Sequence, residues 1–534
     1  MKIISKKILK ENKIYIKTET DLKKLSCSTP SRENILIIHF YIKYMKMINI
    51  KSLMLLSVVT LIIFPSQFIL LSAQHQNDDN KSNWELISTA GFDEQNNIAP
   101  RGIEIFQDQL LIGTSNWIVN CQEKKIIQIN DFFKKLDFET FLSPHWNSDG
   151  CEIWALDQGN WKEIIGETGV VKPGFGNKNN SQIGFIKKFK ENLYVGTYNS
   201  ITGCQVWRTK DLIDWEQVVT DGFGNNKNTW AMSATIFKQE FYVGTFNYKD
   251  GCEIYKTTDG EHWTSVVGKQ SSTPNGFHTS ENFYAWSMCV YQDELYVGTD
   301  SFQGCELWKT NNGKDWEPII AYNGYINAKL NSASYACGLG KKIGSIRNMF
   351  EFNDELYLCM IGGNIYANIS VLTTKNKISI PLQPNLMLSI IQKHRAASIF
   401  KYNATTKKIT GIVHKSITEE EKQNQFGFGN HQNIYFWSTE NINNQIFIGT
   451  LNINPFSITI NNTNQDLDLT VQLPTGNAEV WMSTNGKNFH KITGSLFKNS
   501  NNIGIREMKW FNNRLYVFTS NLKTGCEVWC YSKN

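Results

Sequence analysis

The sequence predicts an all-β protein: a seven-bladed β-propeller of four-stranded antiparallel blades, with the ring closed by an N-terminal strand. Three observations lead to this prediction, namely a repeated four-strand unit, seven copies of one strand type, and an odd strand near the N-terminus. The clearest unit covers residues 230–267, in which the runs MSATIF, EFYVGTF, CEIYKT and HWTSVV are separated by turn residues. These runs are rich in aromatic and β-branched residues, as strands are, and are called strands A, B, C and D.

Strands B and C recur along the chain and set the number of blades. Strand C carries a cysteine at positions 151, 204, 252 and 305, with spacings of 53, 48 and 53 residues, and a degenerate copy, ASIFK, stands at 397–401. Four strands in about 50 residues are typical of one propeller blade. Strand B occurs seven times, which predicts seven blades: LLIGT (110–114), LYVGT (193–197), FYVGT (241–245), LYVGT (295–299), LYLCM (356–360), IFIGT (446–450) and LYVFT (515–519).

The strand that closes the ring is predicted at the N-terminus. The last repeat ends after strand C, at CEVWCYSKN, and has no strand D. The segment NWELI at 83–87 resembles the D strands WKEII and WEPII, and it precedes the first strand A. We therefore expect it to pair with the last strand C, which leaves no unpaired blade edge.

The turn between strands C and D has a recurring sequence. Residues 257–263 read TTDGEHW, and 310–316 and 483–489 read TNNGKDW and STNGKNF. This turn resembles the Asp-box turn of sialidase-like propellers, shorter by one residue before the glycine, and the resemblance covers most of residues 83–530. It implies a propeller in which the box is a folding element on the face away from the active site.

The first 73 residues differ from the rest. Residues 1–44 are Lys-rich and patternless, which predicts an unstructured or non-native extension. Residues 45–73 contain an uncharged stretch from 53 to 73 behind Lys43, Lys46 and Lys51, typical of a signal peptide, with an uncleaved membrane anchor as the alternative. Either would place the propeller, residues 74–534, outside the cell or on its surface, in contact with the membrane only through 53–73 if that segment stays uncleaved.

The net charge of +5 comes from this leader. Residues 1–73 hold 12 of the 54 Lys and Arg residues and 4 of the 49 Asp and Glu residues, which leaves 42 basic against 45 acidic side chains. The propeller therefore lacks the basic footprint of a nucleic-acid-binding protein. It also has no CxxC pair, HExxH motif or close histidine cluster, so we predict no metal and no cofactor.

The repeated cysteines are interpreted as small buried residues. Equivalent positions of a ring lie far apart, which disfavours disulfides among them. Blade six has Ala478 at this position, which favours a packing role. Pairing among the remaining exported cysteines stays open: Cys121, Cys289, Cys337, Cys359 and Cys530.

Long connections concentrate on one predicted face. Three units are interrupted between strands B and C, at about 115–149, 364–395 and 451–476, and the connections from D to the next A are also long. In a four-stranded meander these connections share one face, whereas the short A–B and C–D turns share the other. Binding loops are therefore expected on the B–C face, where strand A begins.

One position near the start of strand A carries the candidate site. When the seven A strands are aligned, this position holds three of the six arginines of residues 74–534, two tryptophans, a glycine and a methionine. Tyr435 lies two residues before one of the tryptophans, and Glu507 follows one of the arginines. The predicted ligand-binding residues are Arg101, Trp286, Arg347, Tyr435, Trp437, Arg506 and Glu507.

These residue types suit an anionic or glycan-like ligand. Arginine forks bind carboxylate, sulfate or phosphate, and tryptophan and tyrosine offer flat faces with a polar edge. We expect a binding module for an acidic sugar or a surface protein, without catalytic residues. The resemblance to sialidases implies an alternative, a glycosidase with Tyr284 or Tyr435 as nucleophile and Glu507 as its partner. Two further alternatives remain: a structural surface protein without a small ligand, and arginines that merely fill the channel beside Glu104 or Glu507.

Overall fold

The computed structural model describes most of the propeller predicted from the repeats. The chain divides into two units, Met1–Leu71 and Ser72–Asn534. The predicted extension and leader, residues 1–73, lie outside the described residues. Among the residues that are described, no helix is long and apolar enough to cross a membrane. The described ranges are 83–117, 125–128, 148–301, 303–324, 333–340, 343–361, 373–374, 377–381, 396–414, 425–453, 457–463, 466–472, 475–493 and 499–532.

The all-β propeller class is confirmed. Within the described ranges, the strands pair into successive antiparallel meanders in the order A, B, C, D. The A strands of successive meanders pack side by side around the ring. The first four meanders are Asn97–Phe106, Gln109–Asn116, Ile153–Asp157 and Asn160–Ile165; Gln182–Phe189, Asn192–Tyr198, Val206–Thr209 and Trp215–Val219; Trp230–Phe237, Glu240–Phe246, Ile254–Thr257 and Thr264–Val267; and Asn282–Tyr291, Glu294–Ser301, Leu307–Thr310 and Glu317–Ala321. The next three are Ser345–Phe352, Glu355–Ile361, Ser398–Asn403 and Lys408–Val413; Asn433–Ile442, Gln445–Asn452, Val480–Ser483 and His490–Lys491; and Asn502–Phe511, Arg514–Asn521, Val528–Tyr531 and Trp84–Leu86.

The N-terminal strand closes the ring as predicted. Trp84–Leu86 pairs antiparallel with Val528–Tyr531, and the Ile87 amide donates to the Val528 carbonyl at 2.9 Å. The indole Nε1 of Trp84 donates to the carbonyl of Ile492 in the neighbouring blade six at 3.1 Å. Strand A of blade seven also packs against strand A of blade one, so the first and last blades of the ring are in contact.

Short 3-10 turns lead into several blades, and an aromatic residue in most of them organises the packing. Phe277 stacks on Trp308 with ring centroids 4.9 Å apart and meets Trp316 edge-on at 5.4 Å. The same buried cluster includes Phe237 and Tyr242 of blade three. Trp308 and Trp316, from strand C and the C–D turn of blade four, thus pack between blades three and four. The turns are Ala90–Asp93, Pro173–Gly176, Asn275–His278, Cys337–Gly340 and Phe426–Gly429.

A buried polar network, which the sequence did not predict, joins the strands inside a blade. In blade three, the Asn228 amide nitrogen donates to the Gly222 carbonyl at 2.9 Å and to Glu253 Oε2 at 2.6 Å. Its amide oxygen accepts from Thr245 Oγ1 at 3.3 Å and from Asn247 Nδ2 at 2.9 Å. Every partner is polar and buried, so the network fixes the leading turn against strands B and C. The same pairing occurs as Asn97–Glu152, Asn180–Gln205, Asn282–Glu306, Asn433–Glu479 and Asn502–Glu527.

The C–D turns have the hydrogen bonds of a tight polar turn. The Gly260 amide donates to Thr257 Oγ1 at 2.8 Å, and Asp259 Oδ1 accepts from the Glu261 amide at 2.8 Å. A fourth such turn follows Thr209 and has Leu212 in the glycine position, with φ at 65°. The sequence pattern missed this copy because it relied on the glycine.

The three interruptions between strands B and C contribute to one additional sheet. All its neighbouring strands are antiparallel, and it draws on blades one, five and six. The interruptions, predicted separately as loops, therefore share one structure on the face where strand A begins. In spatial order its strands are Thr373–Thr374, Lys377–Pro381, Ser457–Thr463, Asp466–Gln472 and Lys125–Gln128. A separate two-residue strand, Tyr335–Ala336, pairs parallel with the last strand of blade four.

The repeated cysteines are buried and free, as predicted. Cys252 is fully buried in a cluster with Ile254 and Phe277, and Ala478 occupies the same place in blade six. Of the cysteines left open by the sequence, Cys121 lies outside the described residues, and the others are also free. The free cysteines of the described residues are Cys151, Cys204, Cys252, Cys289, Cys305, Cys337, Cys359, Cys526 and Cys530.

Candidate functional site

The predicted site position is a β-bulge in the innermost strand of each blade. The pairing of strand A with strand B shifts register there, between Ile505 and Glu507 for example. In blade one the extra residue is Gly102, with φ at 69°, directly after Arg101. A bulge interrupts the pleat and re-aims a side chain. In the other six blades the extra residue is the predicted one: Gly184, Met232, Trp286, Arg347, Trp437 and Arg506.

The three arginines converge from blades one, five and seven. Arg101, Arg347 and Arg506 are 9%, 7% and 6% exposed. Burial lowers the pKa of Arg506 to about 10, and the positive charge of Arg347 contributes to that shift. Burial also lowers the pKa of Arg101, with further contributions from Arg506 and Arg347. The mutual influence means that the three guanidinium groups share one electrostatic environment.

Aromatic rings flank each guanidinium group. The Cζ atom of Arg347 lies 3.3 Å from the ring centroid of Trp286 and 4.3 Å from that of Tyr435. The Cζ atom of Arg506 lies 4.8 Å from the Trp437 centroid. All the predicted aromatic residues therefore contact a predicted arginine. Such cation–π contacts hold a planar guanidinium in place without neutralising its charge.

Arg101 has a different environment from its two partners. Its Cζ atom lies 4.0 Å from the ring centroid of Trp230, and its Nη1 donates to the sulfur of Met232 at 3.4 Å. Thioether sulfur is a weak acceptor. Trp230 and Met232 both belong to blade three, so Arg101 reaches across the ring rather than along its own blade.

The predicted carboxylate Glu507 lies in the cluster, and Glu104 does not. Glu507 Oε1 accepts from the Gly102 amide at 3.3 Å. Burial raises the pKa of Glu507, while the charges of Arg506 and Arg101 oppose that rise. Glu104, proposed from the sequence as a partner for the arginines, instead forms an ion pair with Lys187 at 3.3 Å.

A second carboxylate, Asp300, was missed by the sequence interpretation. It lies at the end of strand B in blade four, is 3% exposed, and its Oδ2 atom has no hydrogen-bond partner. Burial raises the pKa of Asp300 to about 6, and the charge of Arg347 opposes this rise. The sequence contained a signal, because Asp300 follows the recurring Gly-Thr where the other blades with that pair have Ser115, Tyr198, Phe246 or Leu451.

The arginine cluster carries excess positive charge. Among the described residues, neither Arg101 nor Arg506 takes part in an ion pair, and Arg506 Nε is buried without a hydrogen-bond partner. In the part of the chain that the structure describes, the three guanidinium groups interact electrostatically with two carboxyl groups, Asp300 and Glu507, whose ionisation burial disfavours. Buried charges of one sign are costly unless a counter-charge joins them. The geometry therefore suits a negatively charged group bound among the arginines.

The tyrosines near the cluster are neutral. Burial raises the pKa of Tyr435 and of Tyr284, although nearby arginines oppose the rise in both. A tyrosine nucleophile needs the opposite shift or a base that accepts its proton. The negative charge of Asp300 contributes to the rise in both pKa values.

Comparisons with known proteins return propeller structures but no relative in sequence. No family model matches the chain, and no curated protein matches it. The WD40 β-propeller domain of Doa1 is similar with a TM-score of 0.40 and 10% identity, over 84% of this chain and 97% of that one. An ulvan lyase from a new family of polysaccharide lyases gives 0.39 and 10%, over 83% and 94%. A β-xylosidase/α-arabinofuranosidase from a compost microbial metagenome gives 0.29 and 11%, over 62% and 97%.

Proposed function

We propose that this protein is an exported or cell-surface binding module that holds the anionic group of a glycan-like ligand at the face where strand A begins. The observation that supports it is the cluster of Arg101, Arg347 and Arg506, which is nearly buried and whose charges outnumber the carboxyl groups, Asp300 and Glu507, that act on it among the described residues. The role follows from the chemistry of the residues. Guanidinium groups bind carboxylate and sulfate through paired donors.

The aromatic residues extend this proposal from an ion to a ligand that carries one. Trp286, Trp437 and Tyr435 line the arginines, and Trp437 is only partly buried. The apolar C–H face of a sugar ring can pack on the flat face of an aromatic side chain. An acidic sugar would place its charge against the guanidinium groups and its ring against an indole.

A binding screen tests this function. The purified protein is titrated calorimetrically with carboxylated, sulfated and neutral oligosaccharides of matched length. We expect binding of at least one anionic series and no binding of its neutral counterpart. Binding should fall in Arg506→Ala and persist in Arg208→Ala. Arg208 lies on strand C of blade two, where its side chain forms ion pairs with Glu216 and Glu261.

The same screen separates the alternatives. Equal binding of neutral and anionic sugars, or full binding by Arg506→Ala, contradicts the proposed site. Turnover of fluorogenic glycosides would favour the glycosidase alternative. If no carbohydrate or surface extract binds at all, a structural role without a small ligand replaces the proposal.

A further inference from the structure

Asp300 lies on the strand next to the one that carries Arg347, and the positive charge of Arg347 acts on its carboxyl group. Asp300 is 3% exposed and Arg347 7% exposed, and the Asp300 backbone pairs with Ser345, two residues before Arg347 on the adjacent blade. One carboxylate oxygen of Asp300 accepts no hydrogen bond. A buried carboxylate with an unused oxygen, close enough for the arginine charge to act on it, can take the electrostatic role of a ligand's anionic group.

Resting on the proposed function, we infer that Asp300 competes with the ligand for Arg347, so that binding of a carboxylate or sulfate group is coupled to uptake of a proton by Asp300. An anion placed among the three arginines would also lie close to the Asp300 carboxylate. Two like charges in a nearly dry site repel strongly. Protonation of Asp300 removes that repulsion and leaves the arginine charge for the ligand.

The surrounding groups allow this exchange. Around Asp300, the described residues whose charge interacts with it are one cation, two neutral phenols and one thiol, so no second carboxylate would mask its titration. These groups are Arg347, Tyr284, Tyr435 and Cys305. Glu507 lies on the other side of the cluster, beside Arg506, Arg101 and Lys509.

The direction of the pH effect follows from the pKa of Asp300, which burial raises to about 6. Above that pH, Asp300 is ionised in the free protein, and its negative charge repels an incoming anion. Below that value Asp300 is neutral and the anion binds without a proton exchange. Affinity should therefore rise as the pH falls from 8 to 5 and then level off.

Inorganic sulfate and a carboxylated and a sulfated oligosaccharide serve as probes, because sulfate stays ionised throughout this range. Calorimetry at pH 7.5 in buffers of different ionisation enthalpy measures proton uptake directly. We expect uptake approaching one proton per bound anion at pH 7.5 and, by linkage, an affinity about thirtyfold higher at pH 5 than at pH 7.5. The carboxylated and sulfated arms show which anion the site takes.

Two variants keep the test specific. Asp300→Asn should bind at pH 7.5 as tightly as the unmodified protein does at pH 5 and take up little or no proton. Glu440→Gln is the matched control, since burial also raises the pKa of Glu440, but its neighbours are Lys509 and Trp510; it should behave as the unmodified protein.

The possible outcomes distinguish a failure of the proposed anion binding from a failure of its coupling to proton uptake. No anion binding at any pH overturns the proposed function. Binding with no proton uptake, or with the same pH dependence in Asp300→Asn, leaves the binding module intact and overturns the coupling. If Asp300→Asn fails to fold, the buffer dependence measured on the unmodified protein decides the question alone.

Discussion

The protein has two sets of buried polar groups, a network within the blades and an arginine cluster at the ring mouth, and they differ in how completely their hydrogen-bonding groups are paired. In the Asn–Thr–Glu network of blade three, Asn228 and Glu253 have partners at 2.6–3.3 Å. In the arginine cluster at the ring mouth, Arg506 Nε and Asp300 Oδ2 have no hydrogen-bond partner. Folding alone accounts for the first set, because buried polar groups are normally paired. The second set is incomplete within the described chain, which is expected of a site that a ligand completes.

The two sets also differ in how much they change from blade to blade. The network recurs with little change in six blades, as a structural element should. The predicted site position, which is the bulge residue in six blades and directly precedes it in blade one, holds arginine in three blades, tryptophan in two, and glycine or methionine in the others. Variation at a repeated, inward-placed position is the pattern of a site built on a symmetric scaffold.

The largest effect should come from opening the ring. Deleting residues 74–90 removes the Trp84–Leu86 strand, exposes the edge of Val528–Tyr531 and releases the buried Trp84. The loss should reach several kcal/mol, because burying one large side chain contributes roughly 1.5–3 kcal/mol. Thermal melting and size-exclusion chromatography should show early unfolding or aggregation. The control deletion, residues 74–82, keeps the strand, and equal melting temperatures for the two deletions would contradict the closure.

The next effect tests the paired set. Asn282→Ala should lower the free energy of unfolding by about 2–4 kcal/mol, since it removes the hydrogen bonds that Asn282 donates to the buried Glu306 carboxylate and to the Gly276 carbonyl. Urea denaturation measures the loss. Ser398→Ala in blade five, where Ser398 Oγ makes one long bond to the Met360 carbonyl at 3.4 Å, should cost less than about 1 kcal/mol. Similar losses in both variants would mean that the network has no special role.

A smaller effect on a different property tests the incomplete set. Arg347→Ala should weaken binding of an anionic ligand by about 1.5–3 kcal/mol, the scale of a hydrogen bond to a charged group. Stability without ligand should hold or rise slightly, because removing one charge relieves repulsion from Arg101 and Arg506. Calorimetric titration and thermal melting give the two quantities. A clear loss of stability with unchanged binding would show that the arginines only fill the channel.

Much of the architecture was predictable because it repeats. A pattern that recurs in seven strands can be recognised despite local exceptions. Alignment of the chain with itself therefore predicted the blades, the closing strand and the repeated position of the candidate site. Asp300 was not predicted because it is a single departure in one blade. The pairing of 125–128 with 466–472 could not be predicted either, since strand partners so distant in sequence leave no local pattern. The turn at Leu212 was not predicted, because Leu212 has a φ of 65° and the turn pattern expected glycine at a position with positive φ.

The smallest effect concerns the repeated cysteines, which belong with the paired, structural set. Cys252→Ala should lower the free energy of unfolding by no more than about 1 kcal/mol, since it removes one small buried group and Ala478 already fills the same place in blade six. Burial raises the pKa of the Cys252 thiol well above its ordinary value, so the native protein should resist alkylation there. Half-buried Cys337 should react faster with iodoacetamide than Cys252, and mass spectrometry of digests after timed alkylation measures both rates. A disulfide at Cys252 in the native protein would contradict the packing role and make the repeated cysteines a covalent feature of the ring.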